Sequence, residues 1–510
     1  MLVAPLLLAL VVHVDASQKL GPMKQVWGFF GYDEPNYTYT ANGSKLIGEL
    51  GALAPKPVYI RTHFLLATGD AQPALKWGST NAYTEDGAGK PIYNWTTIDR
   101  IFDSYLQAGA KPFVEIGFMP EALSTHPEPY RHEWPKSNFT GWSYPPRDYD
   151  KWSELIFRWV EHCVQKYGAP EVQSWYWEVW NEPDIDYWHG TPDEYDKLYD
   201  YTVRAVKRAL PAARVGGPAT TGPGSQRSSG FLRQFLDHCS NAGTPLDFIS
   251  FHAKGRPSVV DQHVRMDLAP ELSNVQNGVD IVRSFPKFAD LPIILSEADP
   301  EGCAACSAQR YPQNAYRNGP LYASYTAAAL DGIFKIAESA HANIAGMLTW
   351  AFEFENQPYF AGFRDLATNG IDKPVLNLFR MLGIMQGERI KTDNGLAAAN
   401  ENSVSVLVWN YQADEVPGAA QQVAIEVASG GPDRVLMRHY RIDDEHSNSY
   451  SAWKKLGSPQ EPTSEQYKQL ESAAQLQLLE SPRWIAARKG RIEAAFDLPL
   501  NSISLLQFSW

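Results

Sequence analysis

Between residues 24 and 350 the chain repeats one unit, a short run of apolar or β-branched residues followed by a stretch whose apolar positions fall at helical spacing. Eight runs read as strands: Gln25 to Tyr32, Pro57 to Phe64, Pro112 to Phe118, Trp175 to Trp180, Arg214 to Pro218, Phe248 to His252, Ile293 to Ser296, and Gly346 to Phe352. Between them the spacing predicts helices such as Thr97 to Gln107, Asp148 to Lys166, Pro192 to Leu210, Gly230 to Cys239, Val275 to Ser284 and Tyr322 to Ala340. Strands alternating with helices form parallel sheets, because a helical crossover returns the chain to the same end of the sheet. PFVEIGF and PIILS are apolar at consecutive positions, as befits strands covered on both faces. The pattern therefore predicts a closed (β/α)8 TIM barrel. An open doubly wound sheet is the alternative, but no GxGxxG follows the first strand and no Walker A sequence occurs, so nucleotide-binding versions have no support.

After about residue 375 the texture changes. VSVLVWNY, VAIEVA, VLMRHYRI and SISLLQFSW are β-rich runs separated by Gly, Pro, Asp and Asn, and they predict an antiparallel β-sandwich. A polar helical insert, Ser464 to Leu479, interrupts it with Leu470, Ala473, Ala474 and Gln477 at helical spacing. At the other end, Met1 to Val12 is apolar and small residues follow at Val14-Asp15-Ala16, which reads as a secretory signal. The expected organisation is a signal peptide over 1–16, a catalytic barrel over 17–375 and an accessory β-sandwich over 376–510, in a secreted or periplasmic protein. No segment approaches the length of a membrane span. Of four cysteines, Cys303 and Cys306 have metal-site spacing, but no second CxxC and no matching His pair complete a zinc site. A small loop disulfide is the better reading.

The formal net charge is -13, which argues against a nucleic-acid backbone as partner. Aromatic residues make up 12% of the chain, enough to stack on flat apolar faces such as sugar rings, or simply to fill a large core. The strand ends separate these readings. In a parallel barrel they line the catalytic mouth. Trp180-Asn181-Glu182-Pro183 ends the fourth strand and Ser296-Glu297-Ala298-Asp299 the seventh, so Glu182 and Glu297 approach one pocket from different sides. Glycosidic cleavage needs such a pair: one carboxyl protonates the leaving oxygen while the other meets the oxocarbenium-like carbon.

WNEPD followed by ILSEADP, with VYIRTHF upstream, SFHAKG between them and NSYSAWKKLGSPQEP in the tail, resembles glycoside hydrolase family 39, the β-xylosidase and α-L-iduronidase family. The resemblance spans nearly the whole mature chain. It implies a (β/α)8 barrel with a β-sandwich, a retaining two-step mechanism, and no metal or organic cofactor. It implies also that Glu182 is the acid/base and Glu297 the nucleophile, and that Asn181 hydrogen-bonds the hydroxyl beside the anomeric carbon.

Chemistry then assigns neighbours. The donor must hold its proton and the nucleophile must stay ionised, so Arg61, ending the second strand, is the candidate to hold Glu297 ionised. It could instead pair with a carboxylate deeper in the barrel. His63 and His252 end the second and sixth strands, where imidazoles can donate to ring hydroxyls. Trp350, ending the eighth, would form an apolar floor under a sugar ring. Glu355 in the next loop could accept from sugar hydroxyls, with Glu353 competing. Lys254 departs from the tyrosine found at this point in many β-xylosidases of the family. Its ammonium could bind a uronic-acid carboxylate, as in the iduronidase branch, or neutralise Glu297 or Asp299. The expected function is removal of xylose from the non-reducing ends of xylo-oligosaccharides. A uronide or α-L-arabinopyranoside glycosidase and a non-catalytic carbohydrate-binding protein are the alternatives. The expected partner is an oligosaccharide, with neither nucleic acid nor membrane, and homo-oligomerisation stays open.

Overall fold

The computed structural model describes residues 10–53, 57–136, 139–350, 352–428 and 431–510. Eight parallel strands close into a barrel: Phe29–Tyr32, Tyr59–Thr62, Lys111–Ile116, Tyr176–Val179, Arg214–Thr220, Phe248–Lys254, Ile293–Asp299 and Ile344–Trp350. They follow one another around the ring, and the last pairs with the first. Each expected strand overlaps one of these, so the (β/α)8 architecture is the observed one. The helices start where the local chemistry says they should. Asp148 accepts from the N–H groups of Asp150 and Lys151 to open Tyr149–Tyr167. Thr191 and Glu194 form a reciprocal capping box at the head of Pro192–Ala209.

Inside the barrel the side chains are layered. Near the N-terminal ends the rings of Phe29, Tyr59, Phe113, Tyr176 and Phe248 pack on one another, with Phe29 stacked 5.0 Å from Tyr59. This plug closes one end and leaves the other open, so polar groups on the strands above it face the mouth. No helix among the described residues is long and apolar enough to cross a membrane.

The β-domain is one curled sheet of ten strands. Its strands alternate between two cores. Along Ser403–Trp409, Val404, Val406 and Val408 pack into the sheet's own interior, while Leu407 packs against the barrel. Four expectations need correction here. The sheet is mixed, because Leu10–Pro22 lies in its middle, parallel to Gln421–Ala428 and antiparallel to Glu388–Thr392. That strand overlaps the segment read as a signal peptide, of which residues 1–9 lie outside the described residues. Val12 and Val14 are buried in the sheet core, and cleavage after Ala16 would remove the whole ladder from Leu10 to Asp15. The domain boundary moves as well: Pro374–Ile384 is the last barrel helix, so the sheet resumes at Glu388, not at 376. Finally, the helical insert ends at Ala473, and Gln477 begins a two-residue strand. Leu470 and Ala474 do turn inward, onto Phe360 and Ile371 of the loop that follows the eighth barrel strand.

Candidate active site

The open end of the barrel holds a cleft of about 760 Å³ whose lining includes Glu182, Lys254, Lys76, Trp134, Phe139 and Tyr187. Glu182 reaches it through a strained turn. Trp180 and Glu182 both have positive φ, 72° and 42°, a conformation a bulky side chain rarely adopts. The turn is held because the Trp180 indole N–H donates to the Tyr187 carbonyl at 2.9 Å and the Glu182 N–H to the Ala219 carbonyl at 2.8 Å. Glu297 comes from the seventh strand, whose residues are all buried. An oxygen of Glu182, an oxygen of Glu297 and a ring nitrogen of His252 lie within 4.8 Å of one another.

Glu297 sits among nitrogen donors. Lys254 Nζ lies 2.7 Å from Oε2, Arg61 Nη1 3.5 Å from Oε1, and His252 Nδ1 3.7 Å from Oε2. Burial on its own would raise this carboxyl's pKa; His252, Lys254 and Arg61 outweigh it and hold the carboxyl well below the usual carboxylate range. Lys254 is balanced in the same way. Burial disfavours its charge, but Asp299 and Glu297 more than compensate and raise its pKa. Its Nζ hydrogen-bonds both of them, so of the two roles foreseen for this lysine the structure shows the neutralising one.

Arg61 combines the two possibilities read from the sequence. It reaches Glu297, yet its shorter contacts are to carboxylates within the barrel, Glu178 at 2.6 Å and Glu115 at 2.9 Å. It also donates to Asn181 Oδ1 at 2.9 Å, which leaves the Asn181 amide N–H groups to donate elsewhere. His63 Nδ1 is bonded to Glu115 at 2.5 Å, so the ring turns Nε2 toward Asp33, 3.6 Å away, and Glu297, 3.8 Å away. Burial and then the Arg61 charge hold His63 well below its ordinary pKa, which keeps the ring neutral.

His252 differs from expectation. Its Nδ1 is 2.8 Å from Glu182 Oε1, so this nitrogen bridges the two carboxylates and is not free for a ring hydroxyl. Glu355 is a second correction: it accepts from Thr40 Oγ1 and Asn42 Nδ2 at the start of a helix. Glu353 accepts from the Gly370 N–H at 2.6 Å, and burial pushes its carboxyl up to about 8. Trp350, at the end of the eighth strand, is buried, with the His63 ring 4.3 Å away and its indole N–H donated to Asp33 at 3.2 Å.

Trp350 also explains a glycine. A Cβ on Gly31 would lie 2.4 Å from two Trp350 ring carbons, so only glycine lets the first strand pass the indole. Gly31→Ala is therefore expected to displace the ring, raising KM for a glycoside by about tenfold while near-ultraviolet circular dichroism reports the moved indole. An unchanged KM and spectrum would show that the neighbouring strand absorbs the methyl.

Sequence reading missed Asp33, Lys76, Glu115 and Glu178. Lys76 pairs with Asp33 at 2.7 Å beside Trp350 and His63. The signals were present: Asp33 follows the first strand directly, and Glu115 and Glu178 are charges inside otherwise apolar strands. Cys303 and Cys306 form the expected disulfide, in a loop whose carbonyls accept from Arg317. As for metals, Glu182, His252 and Glu297 offer convergent ligand atoms. A divalent ion there would have to displace the Lys254 ammonium from Glu297 and sit beside Arg61, so the charge environment disfavours one.

Comparison with known proteins bears on this site. Residues 11–492 match the description "Glycosyl hydrolases family 39". The chain is 29% identical over 471 residues to a Beta-xylosidase from Geobacillus stearothermophilus, covering 88% of this chain and 86% of that protein. It is 26% identical over 562 residues to an Alpha-L-iduronidase from Homo sapiens, covering 99% of this chain and 79% of that protein. In fold it is similar to a monomeric beta-xylosidase from Caulobacter crescentus CB15, with a TM-score of 0.82 at 24% identity, covering 98% of this chain and 99% of that one.

Proposed function

The chain belongs to glycosyl hydrolase family 39, and from that premise we propose that this glycosidase is a retaining, exo-acting β-xylosidase releasing xylose from the non-reducing ends of xylo-oligosaccharides. The observation that carries the reading is the carboxylate pair: Glu182 and Glu297 have oxygens within 4.8 Å, and one of them is held ionised. A separation of about 5 to 5.5 Å between carboxyl groups suits double displacement, whereas an inverting pair needs room for a water between them.

In the first step a Glu297 oxygen attacks the anomeric carbon as Glu182 gives its proton to the departing glycosidic oxygen. In the second, Glu182 takes a proton from water, whose oxygen displaces Glu297 and releases the sugar. Lys254 and Arg61 keep the nucleophile ionised at the start. Once the ester forms, Arg61 still faces Glu178 and Lys254 still faces Asp299, so no buried cation is left alone.

A xyloside is favoured over a uronide by the cations' existing partners. Lys254 is bonded to Glu297 and Asp299. Arg364 is fully buried and donates to the Trp350 carbonyl at 2.5 Å and to Glu301 at 2.6 Å. A sugar carboxylate would have to draw Lys254 away from the nucleophile that needs it.

The test is a matched panel of nitrophenyl glycosides, β-D-xyloside, α-L-arabinopyranoside, β-D-glucoside and α-L-iduronide, with wild type and Lys254→Tyr. The β-xyloside is expected to dominate, and the variant to lose activity without a change in ranking. Iduronide turnover that exceeds xyloside turnover and collapses in Lys254→Tyr would make Lys254 a carboxylate anchor and overturn the proposal.

A further inference from the structure

The catalytic cleft continues past Glu182 into a polar gallery between the loops that follow the fifth and sixth barrel strands. We propose that this gallery is the leaving-group subsite and that Arg256, on its wall, selects aglycones carrying a carboxylate. The inference rests on the glycosidase reading above and adds the chemistry of the aglycone to it.

The gallery is built, not an accident of loop packing. Asn274 ties its two walls together: its Oδ1 accepts from the Gly224 N–H at 2.8 Å and its Nδ2 donates to the Lys254 carbonyl at 3.3 Å. The loop can approach that amide only because it carries glycines. A Cβ on Gly222 would lie 2.4 Å from Asn274 Oδ1, and one on Gly224 2.6 Å from the same atom. The floor of the gallery is thereby joined to the backbone of the residue whose ammonium holds the nucleophile.

Its position follows from the reaction. Glu182 must lie beside the glycosidic oxygen it protonates, so the aglycone leaves from the side of the cleft that Glu182 lines. Thr221 and Ser225 line the gallery from the loop after the fifth strand, and Arg256, Ser273 and Asn277 line it from the segment after the sixth. Three cations line the whole cleft, Lys76, Lys254 and Arg256. Lys76 is paired with Asp33, and Lys254 with Glu297 and Asp299. Arg256 is exposed, and among the described residues no carboxylate lies within ion-pair distance of its guanidinium. In a protein of net charge -13, an unpaired guanidinium facing a substrate cleft has one natural complement, a carboxylate it can hold by two parallel N–H donors. Asn277, exposed on the same wall, supplies an amide for neighbouring hydroxyls.

The experiment compares 4-nitrophenyl and 3-carboxy-4-nitrophenyl glycosides of whichever sugar the enzyme turns over, in wild type, Arg256→Ala and Arg256→Lys. The readout is the ratio of the two kcat/KM values in each protein, and comparing that ratio between wild type and variants cancels the intrinsic reactivity of the leaving groups. Arg256→Ala is expected to lower the carboxylate-to-neutral ratio by about fivefold, Arg256→Lys by less, and added salt should erode the wild-type preference. A ratio equal in wild type and Arg256→Ala, including the case where both substrates slow together, overturns the proposal. Because the sugar is chosen by turnover, failure of the xyloside reading shows in the sugar panel and failure of this inference shows in the aglycone ratio.

Discussion

On the retaining xylosidase reading, Glu297→Gly is expected to lower kcat on a nitrophenyl β-xyloside by a factor on the order of 10⁵, because the variant would have nothing to capture the anomeric carbon. Loss of rate alone would not distinguish a nucleophile from a residue that shapes the pocket. The cavity left by the carboxylate supplies the distinction. Azide can enter it and attack an activated glycoside from the nucleophile's face in a single displacement, so the expected product is a glycosyl azide of inverted configuration, identified by proton NMR. Activity within tenfold of wild type, or an azide product of retained configuration, would remove Glu297 from the role.

The same carboxylate sets the acid side of the pH response. A carboxyl held below its unfolded value stabilises the folded, ionised state. That contribution is complete above the unfolded value of about 4.3 and is lost as the pH falls through the lower folded value. The acid limb of kcat/KM should therefore lie below the ordinary carboxylate range.

The contrast between what the sequence reveals and what it hides is physical. Strands buried on both faces have no polar side to display, so runs such as Pro112 to Phe118 stand out from the helices around them. Glu182 and Glu297 were legible because a barrel turns every strand end toward one mouth, whatever the loops do. Glu355 was not, since its fate depended on how the loop after Trp350 folds back onto Thr40 and Asn42, which are far away in sequence. The segment from Leu10 to Val14 is ambiguous for a related reason. An apolar run before small residues looks the same whether a peptidase reads it or a distant strand such as Gln421–Ala428 pairs with it. Likewise His252 was correctly placed at the mouth, but only the packed structure shows its Nδ1 between the two carboxylates instead of facing the sugar.

Glu182→Gln tests the other half of the mechanism, and its effect should depend on the leaving group. Xylobiose carries a poor leaving group, its reducing-end xylose, which needs the proton, so its kcat/KM is expected to fall by about 10³-fold. A 2,4-dinitrophenyl xyloside expels its aglycone as a stable phenolate without protonation, so its first step should be nearly as fast as in wild type. The second step still lacks the base that activates water. The glycosyl-enzyme should then accumulate, giving a burst of dinitrophenolate, a lowered KM, and a covalent adduct on the peptide containing Glu297. Azide accelerates this variant too, but the stereochemistry reverses: it attacks an ester already formed on Glu297, so the glycosyl azide has the substrate's configuration. Inverted azide from Glu297→Gly and retained azide from Glu182→Gln cannot both arise if the two glutamates exchange roles, or if a single displacement by water is the native path. Equal slowing of xylobiose and the dinitrophenyl xyloside by Glu182→Gln, with no burst, would mean that the residue shapes the cleft without donating the proton.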